Sequence, residues 1–123
     1  MSLYESGQMY LETIYVLSQH SCCVRSIDVC EHLGYSKPSV SRAMSTLRKD
    51  GYVEMEKDGS LRLTASGLQV AESMYARHTV LTRLLLSLGV EESVASEDAC
   101  RMEHVISDES FAAIRRFVDE KMK

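Results

Sequence analysis

A chain of 123 residues has room for one compact unit or two small lobes with a modest core, which excludes a large catalytic domain. Its net charge of −4 excludes nucleic-acid binding through bulk charge, so any such binding needs a local basic surface. The four cysteines, Cys22, Cys23, Cys30 and Cys100, form no regular disulfide framework, and no segment approaches the roughly 18 apolar residues that span a bilayer. Reduced thiols, no membrane association and a cytoplasmic location are expected, because the N-terminus lacks a basic region followed by an apolar core. The single proline, Pro38, and an excess of helix formers predict a mainly α fold with a small β element.

Taken in chain order, Met9, Tyr10, Ile14 and Leu17 recur at helical spacing and predict a first helix over 4–19. Ser26 offers an N-cap for a short second helix that Gly34 stops. Ser36 caps a third helix, with Pro38 in the first turn where its missing amide costs nothing, running to about Lys49. Two short helices joined through Gly34-Tyr35-Ser36 have the spacing of a helix-turn-helix, with Val29, Cys30, Leu33, Val40, Met44 and Leu47 as its apolar contacts. Tyr52 to Glu56 and Leu61 to Leu63 alternate apolar and polar around an Asp58-Gly59 turn, the signature of a hairpin. The sum is a winged helix-turn-helix. Thr64 or Ser66 then starts a long helix that Gly89 stops, and two more helices are expected over 91–106 and 110–122. A helix of some twenty residues spans about 30 Å and can anchor a second lobe. The expected division is a DNA-binding domain over 1–70 and an all-helical metal-binding and dimerisation domain over 71–123.

The third helix splits by face. Val40, Ala43, Met44 and Leu47 point inward, leaving Ser36, Lys37, Pro38, Ser39, Ser41, Arg42, Ser45, Arg48 and Lys49 for solvent. Four basic residues and no acidic one lie between Ser36 and Lys49, in a chain that is acidic overall. Such a face suits the DNA major groove, where small hydroxyl side chains allow close approach. Arg42, with a planar fork that can donate two hydrogen bonds to a guanine edge, is the expected base reader. Lys37, Arg48 and Lys49 are expected phosphate contacts, with Lys57 and Ser60 added from the wing.

Cys100-Arg101-Met102-Glu103-His104 brings a thiolate, a carboxylate and an imidazole to spacings i, i+3 and i+4, one face of a helix. That donor set favours a borderline transition metal over Mg²⁺ or Ca²⁺. An ordinary half-buried helix would also carry these residues, so further ligands must come from elsewhere. Met9 and Glu12, three apart on the first helix, and His78 on the long helix are the candidates. Taken singly, each suits a core or surface position, and sequence separation leaves open whether they meet.

Four runs carry a family resemblance in order and spacing: Gln8 to Tyr15, Lys37-Pro38-Ser39-Val40-Ser41, Leu63-Thr64-Ala65-Ser66-Gly67, and Asp98 to Glu109. The chain resembles the diphtheria toxin repressor and manganese transport regulator family of metal-dependent transcriptional repressors, in a short two-domain form lacking an SH3-like third domain. In the diphtheria toxin repressor branch the activating metal is held by residues matching Met9, Cys100, Glu103 and His104. His78 matches one ligand of that branch's ancillary site, while Thr82 and Ser96 stand where family members place Glu and His. In the manganese branch, carboxylates match Met9, Glu12, Cys100 and Glu103, and histidines match His78 and His104. This chain keeps Glu12 and His78 but puts sulfur at Met9 and Cys100.

Two sulfur donors move the expected ion away from Mn²⁺ and toward Fe²⁺, with Co²⁺, Ni²⁺ and Zn²⁺ as alternatives. The resemblance thus implies a homodimeric, iron-dependent repressor of metal homeostasis genes that binds a near-palindromic double-stranded DNA operator, with a Mn²⁺-responsive regulator as the alternative. A winged-helix regulator triggered by an organic ligand, or by oxidation of Cys100, is a second reading. A metal-dependent hydrolase is a third, against which stand the missing catalytic domain and the lack of a dedicated base, so no enzyme is expected.

Overall fold

The computed structural model describes residues 5–121. Six helices and two strands are arranged in the order α1 (Glu5–Ser18), α2 (Ser26–Leu33), α3 (Lys37–Lys49), β1 (Val53–Met55), β2 (Leu61–Leu63), α4 (Ala65–Ser87), α5 (Glu92–Met102) and α6 (Asp108–Lys121). Residues up to Glu72 form one compact unit and those from Ser73 a second, with α4 beginning in the first and ending in the second. The mainly α class, with a winged helix-turn-helix ahead of an all-helical segment, is as the sequence predicts. Tyr4 and Met122, the outermost residues of the expected first and last helices, lie outside the described residues.

The first unit closes around one core. Leu11 and Ile14 of α1, Val29 of α2, Val40, Met44 and Leu47 of α3, Val53 and Leu61 of the hairpin and Ala71 of α4 are all buried in it. Gly34 ends α2 with φ at 74°, a left-handed conformation that lets its amide and that of Tyr35 both return to the Cys30 carbonyl, at 2.8 and 3.2 Å. The start of α2 differs from expectation. Ser26 is its first helical residue and Arg25 occupies the cap, because the Asp28 carboxylate reaches back to accept the Arg25 amide at 2.8 Å. Ser36 caps α3 as expected, its hydroxyl accepting the Ser39 amide at 3.3 Å. Strands β1 and β2 pair antiparallel with Val53 opposite Leu63 and Met55 opposite Leu61, and Leu61 also donates its amide to the Val24 carbonyl at 2.7 Å.

In the second unit Val80 and Leu84 of α4 pack with Ile106 and with Phe111, Ile114 and Val118 of α6. The expected helix over 91–106 stops at Met102. In the turn that follows, the carbonyls of Glu103 and Ile106 accept hydrogen bonds from Arg77 of α4. The chain turns, and Ser107 caps α6 by accepting the Ser110 amide at 3.0 Å, so that helix begins at Asp108, two residues earlier than predicted.

Gly67 tests how tightly the hairpin is locked to α4. A Cβ there would lie 2.1 Å from the Tyr52 carbonyl oxygen, a backbone atom that also accepts the Thr64 amide at 3.0 Å. Gly67→Ala is expected to destabilise the first unit by about 1–3 kcal/mol through this clash, despite alanine's better helix propensity. Chemical denaturation checks it, and unchanged or raised stability would show that the hairpin yields freely.

Candidate metal centre and nucleic-acid interface

Glu103 is the most deeply buried charged residue among those described, with no exposed surface, and neither carboxylate oxygen has a hydrogen-bond partner there. A carboxylate in that condition is costly unless a charge compensates it. Three donors converge on it. Cys100 Sγ, a Glu103 carboxylate oxygen and a His104 ring nitrogen all lie within 4.8 Å of one another. Glu103 Oε1 is 3.6 Å from His104 Nε2 and 3.7 Å from His78 Nδ1. Both separations exceed a good hydrogen bond and suit either an ion pair with a protonated imidazole or an ion shared with the carboxylate. One thiolate, one carboxylate and one imidazole, with His78 pairing separately with that carboxylate, fit a divalent transition ion and fit Ca²⁺ or Mg²⁺ poorly.

The convergence arises differently from a simple helix face. Cys100 sits in the last turn of α5, Glu103 is its C-cap in a still-helical conformation, and His104 lies in the turn beyond. Arg77, buried, shapes that turn: Nη1 donates to the Glu103 carbonyl at 3.1 Å and the Ile106 carbonyl at 2.6 Å, while Nη2 donates to the Asp108 carboxylate. Its guanidinium also lies 5.3 Å from the Phe111 ring centroid. Arg77 was not among the residues singled out from sequence. The signal was present, since Arg77 falls between Met74 and Leu81 on the buried stripe of α4, where a charged residue needs a reason.

Met9 and Glu12 lie on α1 of the first unit, both half-buried. The Tyr35 hydroxyl, in the turn before α3, is 4.0 Å from Met9 Sδ, and its ring meets Tyr10 edge-on at 6.1 Å. Burial pushes the Tyr10 hydroxyl pKa up, with the neighbouring Tyr35 and Cys30 adding to the rise.

On α3 the outward set is exposed as a face: Lys37, Pro38, Ser41, Arg42, Ser45, Arg48 and Lys49 are open to solvent, Ser36 likewise at the cap, and Ser39 is half-buried with its hydroxyl 2.9 Å from that of Ser36. Arg48, Lys49 and Ser45 line a cleft of about 470 Å³ with Val53, Glu54 and Met55 of β1. The wing is less basic than its sequence suggests, because Arg62 is engaged by Glu54 at 2.9 Å and Glu56 at 3.2 Å. Lys57 is exposed at the wing, but Ser60 is buried against it, with its amide donating to Asp58 Oδ1 at 2.9 Å. The Ser60 hydroxyl oxygen is out of solvent here, in contrast to exposed Lys57. Hydrogen bonding from Ser60 holds the Asp58 carboxyl below the usual carboxylate range.

A family model described as "Iron dependent repressor, N-terminal DNA binding domain" matches residues 2–61, and one described as "Iron dependent repressor, metal binding and dimerisation domain" matches residues 64–122. The chain belongs to the iron dependent repressor family. It is 34% identical over 108 residues to the diphtheria toxin repressor of Corynebacterium diphtheriae, an alignment covering 87% of this chain and 48% of that protein. It is also 34% identical over 111 residues to the transcriptional regulator MntR of Escherichia coli O157:H7, covering 90% of this chain and 72% of the relative. A solved structure described as "Manganese-dependent transcriptional repressor complex with manganese" superposes with a TM-score of 0.84 at 28% identity, over 92% of this chain and 52% of that one. The chain thus spans about half the length of the diphtheria toxin repressor it matches. Within the family frame, α3 and Lys57 fall in the DNA-binding segment, whereas His78, Cys100, Glu103, His104 and Arg77 fall in the metal-binding one.

The state of Glu103 makes a stability prediction with a definite sign. Glu103→Met, similar in volume and uncharged, is expected to stabilise the metal-free chain by about 1–4 kcal/mol and to abolish the stabilisation that a divalent ion gives the parent. Thermal melts with chelator and with Co²⁺ measure both. A destabilised metal-free variant that still responds to Co²⁺ would show that the carboxylate serves packing and not a cation.

Proposed function

We propose that the chain is a metal-dependent DNA-binding repressor, without enzymatic activity, in which Fe²⁺ is the preferred activating ion and Mn²⁺ the alternative. The observation that carries this reading is the buried, hydrogen-bond-free carboxylate of Glu103 among Cys100, His104 and His78, in a chain that also presents an exposed basic helix on a winged helix-turn-helix. Cys100, Glu103 and His104 are the primary ligands, with His78 beside them. Met9 and Glu12 of α1 complete the set, because the family resemblance matches both positions. A bound ion adds positive charge directly beside the Glu103 carboxylate.

Sulfur at Met9 and Cys100 favours Fe²⁺ over the harder Mn²⁺, and Co²⁺, Ni²⁺ or Zn²⁺ would occupy the same donors in vitro. Ligands drawn from α1 as well as from the second unit make metal occupancy a constraint on the DNA-binding unit, which shifts the population toward forms that bind DNA. In a homodimer, formed through the segment matched as a dimerisation domain, two copies of α3 address successive major grooves of a near-palindromic operator. Arg42 reads a base edge, and Lys37, Arg48, Lys49 and Lys57 contact phosphates, with Ser36, Ser39 and Ser41 allowing close approach. The reading places the protein in the cytoplasm, where the DNA and the reduced Cys100 thiol both reside, and no described helix is long and apolar enough to cross a membrane.

Selection of DNA fragments by the full chain under anaerobic Fe²⁺, Mn²⁺, Zn²⁺ or chelator tests the proposal. One near-palindromic sequence class should be enriched with metal, best with Fe²⁺, and none with chelator. On the selected site Arg42→Ala is expected to cost about 1–3 kcal/mol and to relax preference at one base position per half-site. Equal recovery with and without metal would contradict the reading, and a uniform loss across sequences would make Arg42 a phosphate contact.

A further inference from the structure

The proposed metal centre accounts for Cys100 and the first core for buried Cys30, which leaves the adjacent thiols Cys22 and Cys23 without a role. Both are free, Cys22 exposed and Cys23 half-buried, and their sulfurs lie 3.9 Å apart. The loop that holds them is organised by Ser21, whose hydroxyl donates to the Cys23 carbonyl at 3.0 Å and accepts the Cys23 amide at 3.3 Å. The two sulfurs open onto a groove of about 620 Å³ shared with Glu56, Lys57, Asp58 and Arg62 of the wing. The next two residues in the chain, Val24 and Arg25, anchor the wing. Val24 accepts the Leu61 amide at 2.7 Å, and Arg25 donates Nε to the Asp58 carbonyl at 3.2 Å while its guanidinium pairs with the Asp58 carboxylate at 3.6 Å.

We propose that Cys22 and Cys23 form a dithiol site for trivalent arsenic or antimony, and that its occupation weakens DNA binding through the wing. The class of ligand is set by the number of donors. Among the described residues neither cysteine belongs to a group of three metal-ligating side chains, and a zinc-like ion asks for four. A trivalent metalloid oxyacid needs only two protein donors, because it keeps a substituent of its own. With arsenous acid the step is a condensation: two As–O bonds break and two As–S bonds form. Each thiol proton leaves with a departing hydroxide as water, and arsenic stays trivalent throughout. Side-chain rotation about χ1 closes the small gap between the present sulfur separation and a shared centre. The resulting ring rigidifies the loop immediately before Val24 and Arg25 and places the metalloid at the edge of the groove that Lys57 also lines.

The test uses the full chain under reducing, dithiol-free conditions with arsenite or phenylarsine oxide. Intact mass and peptide mapping should show one arsenic per chain, bound to Cys22 and Cys23 together, kept in excess monothiol and released by a small dithiol. Cys22→Ser and Cys23→Ser should each weaken binding about 100-fold or more, the loss expected when a chelate becomes a single bond. Single variants that bind as the parent does, or arsenic mapped to Cys100, would overturn the site. In the second arm, arsenite should lower the affinity of the metal-loaded parent for its selected DNA about fivefold or more and leave Cys22→Ser unaffected. Equal loss in both, or none, would overturn the link to the wing. That arm rests on the repressor reading, whereas the mass measurement does not: absent metal-dependent DNA binding in untreated protein counts against the repressor reading alone.

Discussion

A single carboxylate sets the terms of the second unit. Glu103 is removed from water without a hydrogen bond to either oxygen, a condition that folding alone does not favour. It is tolerated because the turn that carries it is held from behind by Arg77, which takes the Glu103 and Ile106 carbonyls and ties them to Asp108 and Phe111 at the start of α6. The interactions are made with the backbone and not with the carboxylate itself. The positively charged side chain therefore fixes where Glu103 points while leaving both of its oxygens for another partner. Cys100 and His104 then stand beside that carboxylate at separations suited to sharing an ion, and His78 lies 3.7 Å from one of its oxygens. A carboxylate so placed favours a positive charge beside it.

The DNA-binding unit distributes its charge in a complementary way. In an acidic chain, the basic side chains of α3 are left exposed and unmixed with acids, so its local field favours phosphate even though the whole molecule does not. The wing goes the other way, with Arg62 engaged by Glu54 and Glu56 and Arg25 by Asp58. Exposed pairs of this kind contribute little stability. Their consequence is that α3 carries most of the available positive charge, with Lys57 as the wing's addition. Tyr35 stands between α1 and this helix, touching Met9 with its hydroxyl and Tyr10 with its ring from the turn that precedes the α3 cap. Met9 is thereby in contact with the turn that leads into α3.

Much of this was legible in the sequence, for reasons that differ by element. The winged helix-turn-helix followed from apolar periodicity, the Ser36 cap and the Gly34 stop, all local signals that tertiary packing left intact. The end of α5 was not legible, because the turn after it is held through the Glu103 and Ile106 carbonyls by a side chain 26 and 29 positions earlier, and no local pattern encodes that. The α2 cap moved by one residue because Asp28 outcompeted Ser26 for the turn's backbone. Ser60 looked like a wing-tip hydroxyl, yet the hairpin register buries it next to Leu61. Among the candidate ligands, the convergence of Cys100, Glu103 and His104 was readable from their spacing, whereas Arg77 required noticing a cation on an apolar stripe.

The proposed site holds a transition ion through sulfur as well as oxygen and nitrogen, and that sulfur is the proposed ground for preferring iron to manganese. X-ray absorption at the metal edge of the anaerobic Fe²⁺-loaded protein reads the donor atoms directly. The account predicts a sulfur shell at about 2.3 Å together with nearer nitrogen and oxygen donors, the sulfur being reduced or lost in Cys100→Ser. A first shell of nitrogen and oxygen alone, unchanged by that substitution, would contradict it.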